Sequence, residues 1–129
     1  KDYQQYLVIK KMTESLKLNT RIICVKTVRD RNGLPLSSRN SYLSGQEFKI
    51  AIKINKLLKK LPPLIRTKLK INKILNHTKK VLIDHGVDKI DYLTVLNDDL
   101  SVRKKISDKS RIFIAAKIGN TRLIDNIKI

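Results

Sequence analysis

The order of patterns along the chain predicts an α/β segment followed by an α+β unit. The first part is a helix and one buried strand; the second is two helices and a three-stranded, mostly antiparallel sheet. Three observations carry this. An apolar flank recurs at intervals of four over residues 2–17 and leads to the β-branched run Arg21-Ile22-Ile23-Cys24-Val25. Two further helix-period segments lie between Ser44 and Gly86. From Lys89 onward the character switches to three strand-like runs, the last two separated by the turn pair Gly119-Asn120.

In the first helix, Asp2 and Gln5 have the spacing of a capping box, with Asp in place of Ser or Thr. Val8, Met12 and Leu16, with Leu7 and Ile9 beside them, make its apolar flank, and Asn19 ends the pattern. The run at 21–25 has the composition of a strand covered on both faces, which makes Cys24 a small core residue. One helix and one strand cannot form a sheet alone. The remaining strands are therefore expected upstream, and the chain, which begins at Lys1, is expected to be cut from something longer.

Asn32-Gly33 marks a turn, and Pro35 forbids a central strand there. Ser44 and Glu47 form an S-x-x-E capping box for a helix through Phe48, Ala51, Ile52, Leu57, Leu58 and Leu61. Pro62-Pro63 is expected to stop it. A second helix would carry Leu64, Ile71, Ile74, Leu75, Thr78, Val81 and Leu82, with Gly86 after His85 as its C-cap. The strands are read at 89–96, 111–118 and 121–129, with a polar excursion over 97–110. Residues 1–30 thus end one domain, 31–44 form a connecting loop, and 45–129 form a second, smaller domain.

The formal charge is +18 and the pI about 10.2, which raises nucleic-acid binding as a rival reading. The lysines, however, are spread along the chain as Lys10-Lys11, Lys59-Lys60, Lys79-Lys80 and Lys104-Lys105. Aromatic residues, on which bases would stack, make up only 5% of the chain. No helix-turn-helix or zinc-ligand pattern occurs, so codon bias is the preferred source of the charge and no nucleic-acid partner is expected. Steep salt-dependent binding to unrelated DNA or RNA, with no need for ATP, would identify the rival.

No run approaches the roughly 18–20 apolar residues that cross a bilayer, and no leader pattern opens the chain. The lone Cys24 excludes an internal disulfide. The chain is read as cytoplasmic, with no membrane partner. His77 and His85 lack companions for a metal site and are read as surface or cap residues. The sequon Asn76-His77-Thr78 falls inside a helix and is discounted. Asp125 and Asn126 are expected to brace the last strand against the first domain.

Two clusters suit a phosphate. Lys1 stands at a helix start, where free backbone amides and the helix dipole favour an anion. In the loop, Arg39 offers a forked guanidinium, and Ser37 and Ser38 offer hydroxyls.

With "KDYQQ" at 1–5, "VKTVRDRNGLPLSSRNSYLS" at 25–44 and "TRLIDN" at 121–126, the chain resembles the pantoate–β-alanine ligase (pantothenate synthetase) family. Members carry G-x-K-D-x-Q-Q, then V-x-T-V-R-x-x-x-G-L-x-x-S-S-R-N-x-Y-L-S, then R-L-I-D-N. The resemblance covers the chain end to end but only the later half of the enzyme; the H-x-G-H nucleotide motif of the earlier half is absent. Lys26 stands where members usually have proline, which puts the strand's exit in doubt but removes no reacting group.

The resemblance implies the tail of a Rossmann-like nucleotide-binding domain followed by a lid, in the nucleotidylyltransferase superfamily. It implies condensation of pantoate with β-alanine through a pantoyl adenylate, with ATP and Mg²⁺, no protein metal ligand, and a homodimer as the full-length protein. Lys1 would contact phosphate and steady developing charge, Asp2 would take the ribose hydroxyls, and Gln5 would hold pantoate. Val28 would meet the adenine. Ser37, Ser38 and Arg39 would clasp the triphosphate, matching in role the K-M-S-K-S loop of related enzymes. The chain alone, lacking half of that pocket, is expected to be inactive.

Overall fold

Residues 111–118 are apolar at nearly every position, which a strand tolerates only where both its faces are covered. They form the middle of a sheet. In this computed structural model β1 (Lys89–Leu96), β2 (Arg111–Ile118) and β3 (Thr121–Lys128) pair antiparallel in the order β1-β2-β3. The structure describes residues 1–67, 70–97, 100–101, 106–107 and 109–129. The polar excursion expected over 97–110, including Lys104-Lys105, lies in large part outside the described residues. All three strands match the sequence reading, and Gly119 (φ +55) supplies the left-handed conformation of the β2–β3 turn. The β1–β2 register shifts at Asp91, between Ile90 and Tyr92.

One face of the sheet is covered by α2 (Gly45–Arg66) and α3 (Ile71–Asp84). Ile112, Ile114, Ala116 and Ile118 of β2 meet Ala51, Ile54, Leu58, Leu61 and Ile65 of α2 and Leu75 and Leu82 of α3 in a single core. Fully burying such a side chain contributes about 1.5–3 kcal/mol. The expected capping box is present: Ser44 Oγ accepts from Glu47 N, and Glu47 Oε2 accepts from Ser44 N at 2.7 Å. At the far end of α3, Gly86 N donates to Ile83 O and Val87 N to Leu82 O, a Schellman closure with Gly86 at φ +96.

On the other face, Phe113 meets Tyr3 of α1 (Tyr3–Ser15), and Tyr92 donates to Gln4 Oε1 at 3.3 Å. Asp2 caps α1 through Gln5 N.

Three expectations are corrected. Pro62-Pro63 does not stop α2, which runs on to Arg66 and takes Leu64 with it. The two prolines forgo hydrogen bonds, but continuing the helix places Ile65 one turn after Leu61 on the buried stripe, and that burial offsets part of the loss. Residues 21–25 form no strand: Ile23 is 68% and Val25 79% exposed, and Cys24 is an exposed thiol, not a core residue. An apolar run becomes a strand only with a neighbour to share its backbone bonds, and none of the described residues pairs with it. The flank of α1 formed by Val8, Met12 and Leu16 is likewise exposed. His77 and His85 are both exposed, and His85 caps α3, as read.

Candidate functional site

Lys1 and Ser37 are 36 positions apart and in contact: Lys1 Nζ donates to Ser37 Oγ at 3.3 Å. The serine is held by its own local geometry. It is the extended N-cap of a short 3₁₀ helix, Ser38–Tyr42, and its hydroxyl also accepts from Arg39 N at 3.3 Å. Asn40 ties the turn back to the loop by donating to Pro35 O at 3.0 Å. Arg39 is exposed, and it borders the same depression as Lys1, Ser37 and Arg122, a space of about 20 Å³. That space holds roughly one water, so the depression is the meeting point of the cations and not a nucleotide pocket.

Lys1 also borders a larger cleft of about 310 Å³ with Asp2, Tyr3, Lys26, Thr27, Arg111 and Asn126. A second cleft, about 330 Å³, continues from Thr27, Arg111 and Asn126 to Lys59 and Lys128. Both reach the lower end of the size range of small-molecule sites. Arg122 is paired with Asp91 at 2.7 Å, and this hydrogen bond raises the guanidinium above its ordinary value.

The loop that delivers Ser37 is anchored by an ion pair. Arg29 donates to both carboxylate oxygens of Asp125 at 2.8 Å and to Gly33 O at 3.0 Å. Asn55 of α2 donates to Asp125 Oδ2 at 3.2 Å. Gly33 (φ +87) is required here, because a Cβ would lie 2.6 Å from Asn55 Oδ1. The next residue of β3, Asn126, donates to Lys1 O at 2.8 Å and accepts twice from Arg111, whose guanidinium lies 4.2 Å from the centre of the Tyr3 ring. The bracing read for Asp125 and Asn126 is thus observed, and its partners are Arg29 and Lys1.

Of the residues singled out from sequence, Lys1, Ser37 and Arg39 come together at the small depression, and Asp2 joins Lys1 only in the larger cleft. Asp2 lines the cleft beside Lys1 while one carboxylate oxygen caps α1. Gln5, Ser38 and Val28 border none of these spaces: all three are exposed, and the Val28 carbonyl accepts from Leu36 N at 3.0 Å. Sequence reading missed Arg29, Asn55 and Arg111. The available signal was Asn55, a polar residue on the apolar stripe of α2.

A family model described as pantoate-beta-alanine ligase matches residues 1–128. The chain belongs to the pantoate–β-alanine ligase family. It is 39% identical to the pantothenate synthetase of Bradyrhizobium sp. over 100% of its own length and 46% of the relative's. It is 42% identical to that of Endomicrobium trichonymphae, covering 98% and 45%. The crystal structure of the Thermus thermophilus pantothenate synthetase superposes with a TM-score of 0.89 at 30% identity, covering 99% of this chain and 47% of that one. A Francisella tularensis pantoate-beta-alanine ligase, complexed with beta-gamma ATP and beta-alanine, gives 0.70 at 33% identity, covering 99% and 41%. The chain therefore spans about half the length of the relatives it matches.

Proposed function

We propose that the protein to which these residues belong condenses pantoate with β-alanine, using ATP. In the first step a pantoate carboxylate oxygen bonds to the α-phosphorus of ATP, the bond to the β-phosphate oxygen breaks, and pyrophosphate leaves. In the second, the β-alanine nitrogen bonds to the acyl carbon of pantoyl adenylate, AMP leaves, and the amine's proton passes to solvent. The observation that carries this reading is the contact between the Lys1 ammonium and the Ser37 hydroxyl, which joins two phosphate-suited clusters beside Arg39. The relatives' names and the Francisella complex support it.

In this scheme Lys1 and Arg39 bind and neutralise phosphate oxygens, most strongly as charge builds at the leaving pyrophosphate. Ser37, with Ser38, donates hydroxyls to the same oxygens, Asp2 takes the ribose hydroxyls, Val28 meets the adenine and Gln5 orients pantoate. No group of three His, Cys, Asp or Glu side chains converges among the described residues. Mg²⁺ would accompany the nucleotide, supplying further charge neutralisation. Residues 31–44 act as hinge and phosphate loop, and 45–129 as the lid that closes over ATP.

The test is AMP release by the full-length protein, expected only when both pantoate and β-alanine are present. AMP formation indifferent to either substrate overturns the reading.

A further inference from the structure

The two halves of the candidate site are held by adjacent residues of one strand. Asp125 and Asn126 are 6% and 5% exposed, and as neighbours on β3 they project to opposite faces of the sheet. Asp125 is saturated: Oδ1 accepts from Arg29 Nη2 and Asn126 N, Oδ2 from Arg29 Nη1 and Asn55 Nδ2. Arg29 then grips Gly33 O, within the loop that ends at Ser37. Asn126 uses both ends of its side chain, with its amide donating to Lys1 O and its carbonyl taking Arg111.

With the Lys1–Ser37 contact these bonds close a ring. It runs from Lys1 through Ser37, back along the loop to Arg29, across to Asp125, one residue along β3 to Asn126, and home to Lys1. A strand is stiff over one residue, so the ring fixes the separation between the Lys1 ammonium and the Ser37-Ser38-Arg39 turn.

We propose that Asp125 and Asn126 are positioning residues that set this separation for the adenylation step. The inference rests on the ligase reading, in which Lys1 and Arg39 address one triphosphate. Positioning of this kind acts on the transition state for pyrophosphate loss. It leaves untouched the later attack of an amine on an adenylate already formed, where the β- and γ-phosphates are gone.

The discriminating variant is Asn126→Asp in the full-length protein. It keeps an acceptor for Arg111 and removes the donor to Lys1 O, but it adds a carboxylate charge, so Arg29→Lys, which adds none, is measured beside it. The two half-reactions are read separately: pantoate-dependent exchange of pyrophosphate into ATP, and β-alanine-dependent turnover of added pantoyl adenylate. Exchange should slow roughly 10- to 100-fold with the second half-reaction nearly unchanged. Both slowing in proportion, or neither changing, overturns the proposal. Arg29→Lys, which retains the charge beside Asp125 but not the fork, is read by the same two measurements and criteria, and it stands alone should Asn126→Asp not fold. Absence of pantoate-dependent exchange in the wild-type protein would instead overturn the ligase reading.

Discussion

Arg39 stands exposed at the mouth of the small depression where Lys1 meets Ser37, with its backbone amide pinned to the Ser37 hydroxyl. A guanidinium so placed is free to take up an anion, and its removal leaves the turn's own bonds in place. Arg39→Ala in the full-length protein should therefore slow adenylation by about one to two orders of magnitude, the worth of a charge-assisted contact of roughly 1.5–3 kcal/mol. Its thermal midpoint should be unchanged; unaltered kinetics would reduce the loop to a turn. Gly33 is the contrary case, a residue whose role is conformational. Gly33→Ala forces a side chain into the left-handed region, at about 1–2 kcal/mol, and against the buried amide of Asn55. Chemical denaturation should show a loss at least that large. Both residues stood out in the sequence, as part of "NGLPLSSRN". Arg29 did not, because an arginine amid many cations is informative only once Asp125, 96 positions away, is seen beside it.

At the scale of elements, α2 shows local and tertiary forces in turn. Its start is written locally: Ser44→Ala removes one half of the capping box and should cost about 1 kcal/mol in denaturant titrations. Its end is tertiary. The double proline says stop, yet Leu61 and Ile65 both reach the core and the helix continues. Ile65→Ala should therefore destabilise by about 2–5 kcal/mol, far more than truncating exposed Leu64. An equal effect at the two positions would mean the last turn is not packed as described. The strands were legible for a different reason. Each has a neighbour within the chain, so pattern and partner agree, whereas the run at 21–25 has pattern without a partner.

For the whole molecule, the sheet carries an ion pair that spans its middle strand, Asp91 of β1 with Arg122 of β3. The hydrogen bond from Arg122 holds the Asp91 carboxyl below its ordinary 3.8. The folded state therefore binds this proton less readily than the unfolded one, so the pair's contribution is present above that ordinary value. It is lost as pH falls through the lowered one. Comparing wild type with Asp91→Asn, the stability difference should shrink in strong acid and, the pair being exposed, also in high salt. A difference constant down to acid pH would show that the pair contributes nothing.

By itself the sequence determined the elements whose signals are local: the three strands, the capping box, the Gly86 closure, and the motifs at Lys1 and Ser37-Ser38-Arg39. Periodicity, caps and turns depend on neighbours a few positions away, and one chain contains them all. Only the tertiary structure decided that α2 passes its prolines, that 21–25 is exposed, and that Asp125 and Asn126 tie Lys1 to the serine loop. Those outcomes depend on which surfaces meet across tens of positions, and burial and hydrogen-bond partnership exist only once the chain has folded.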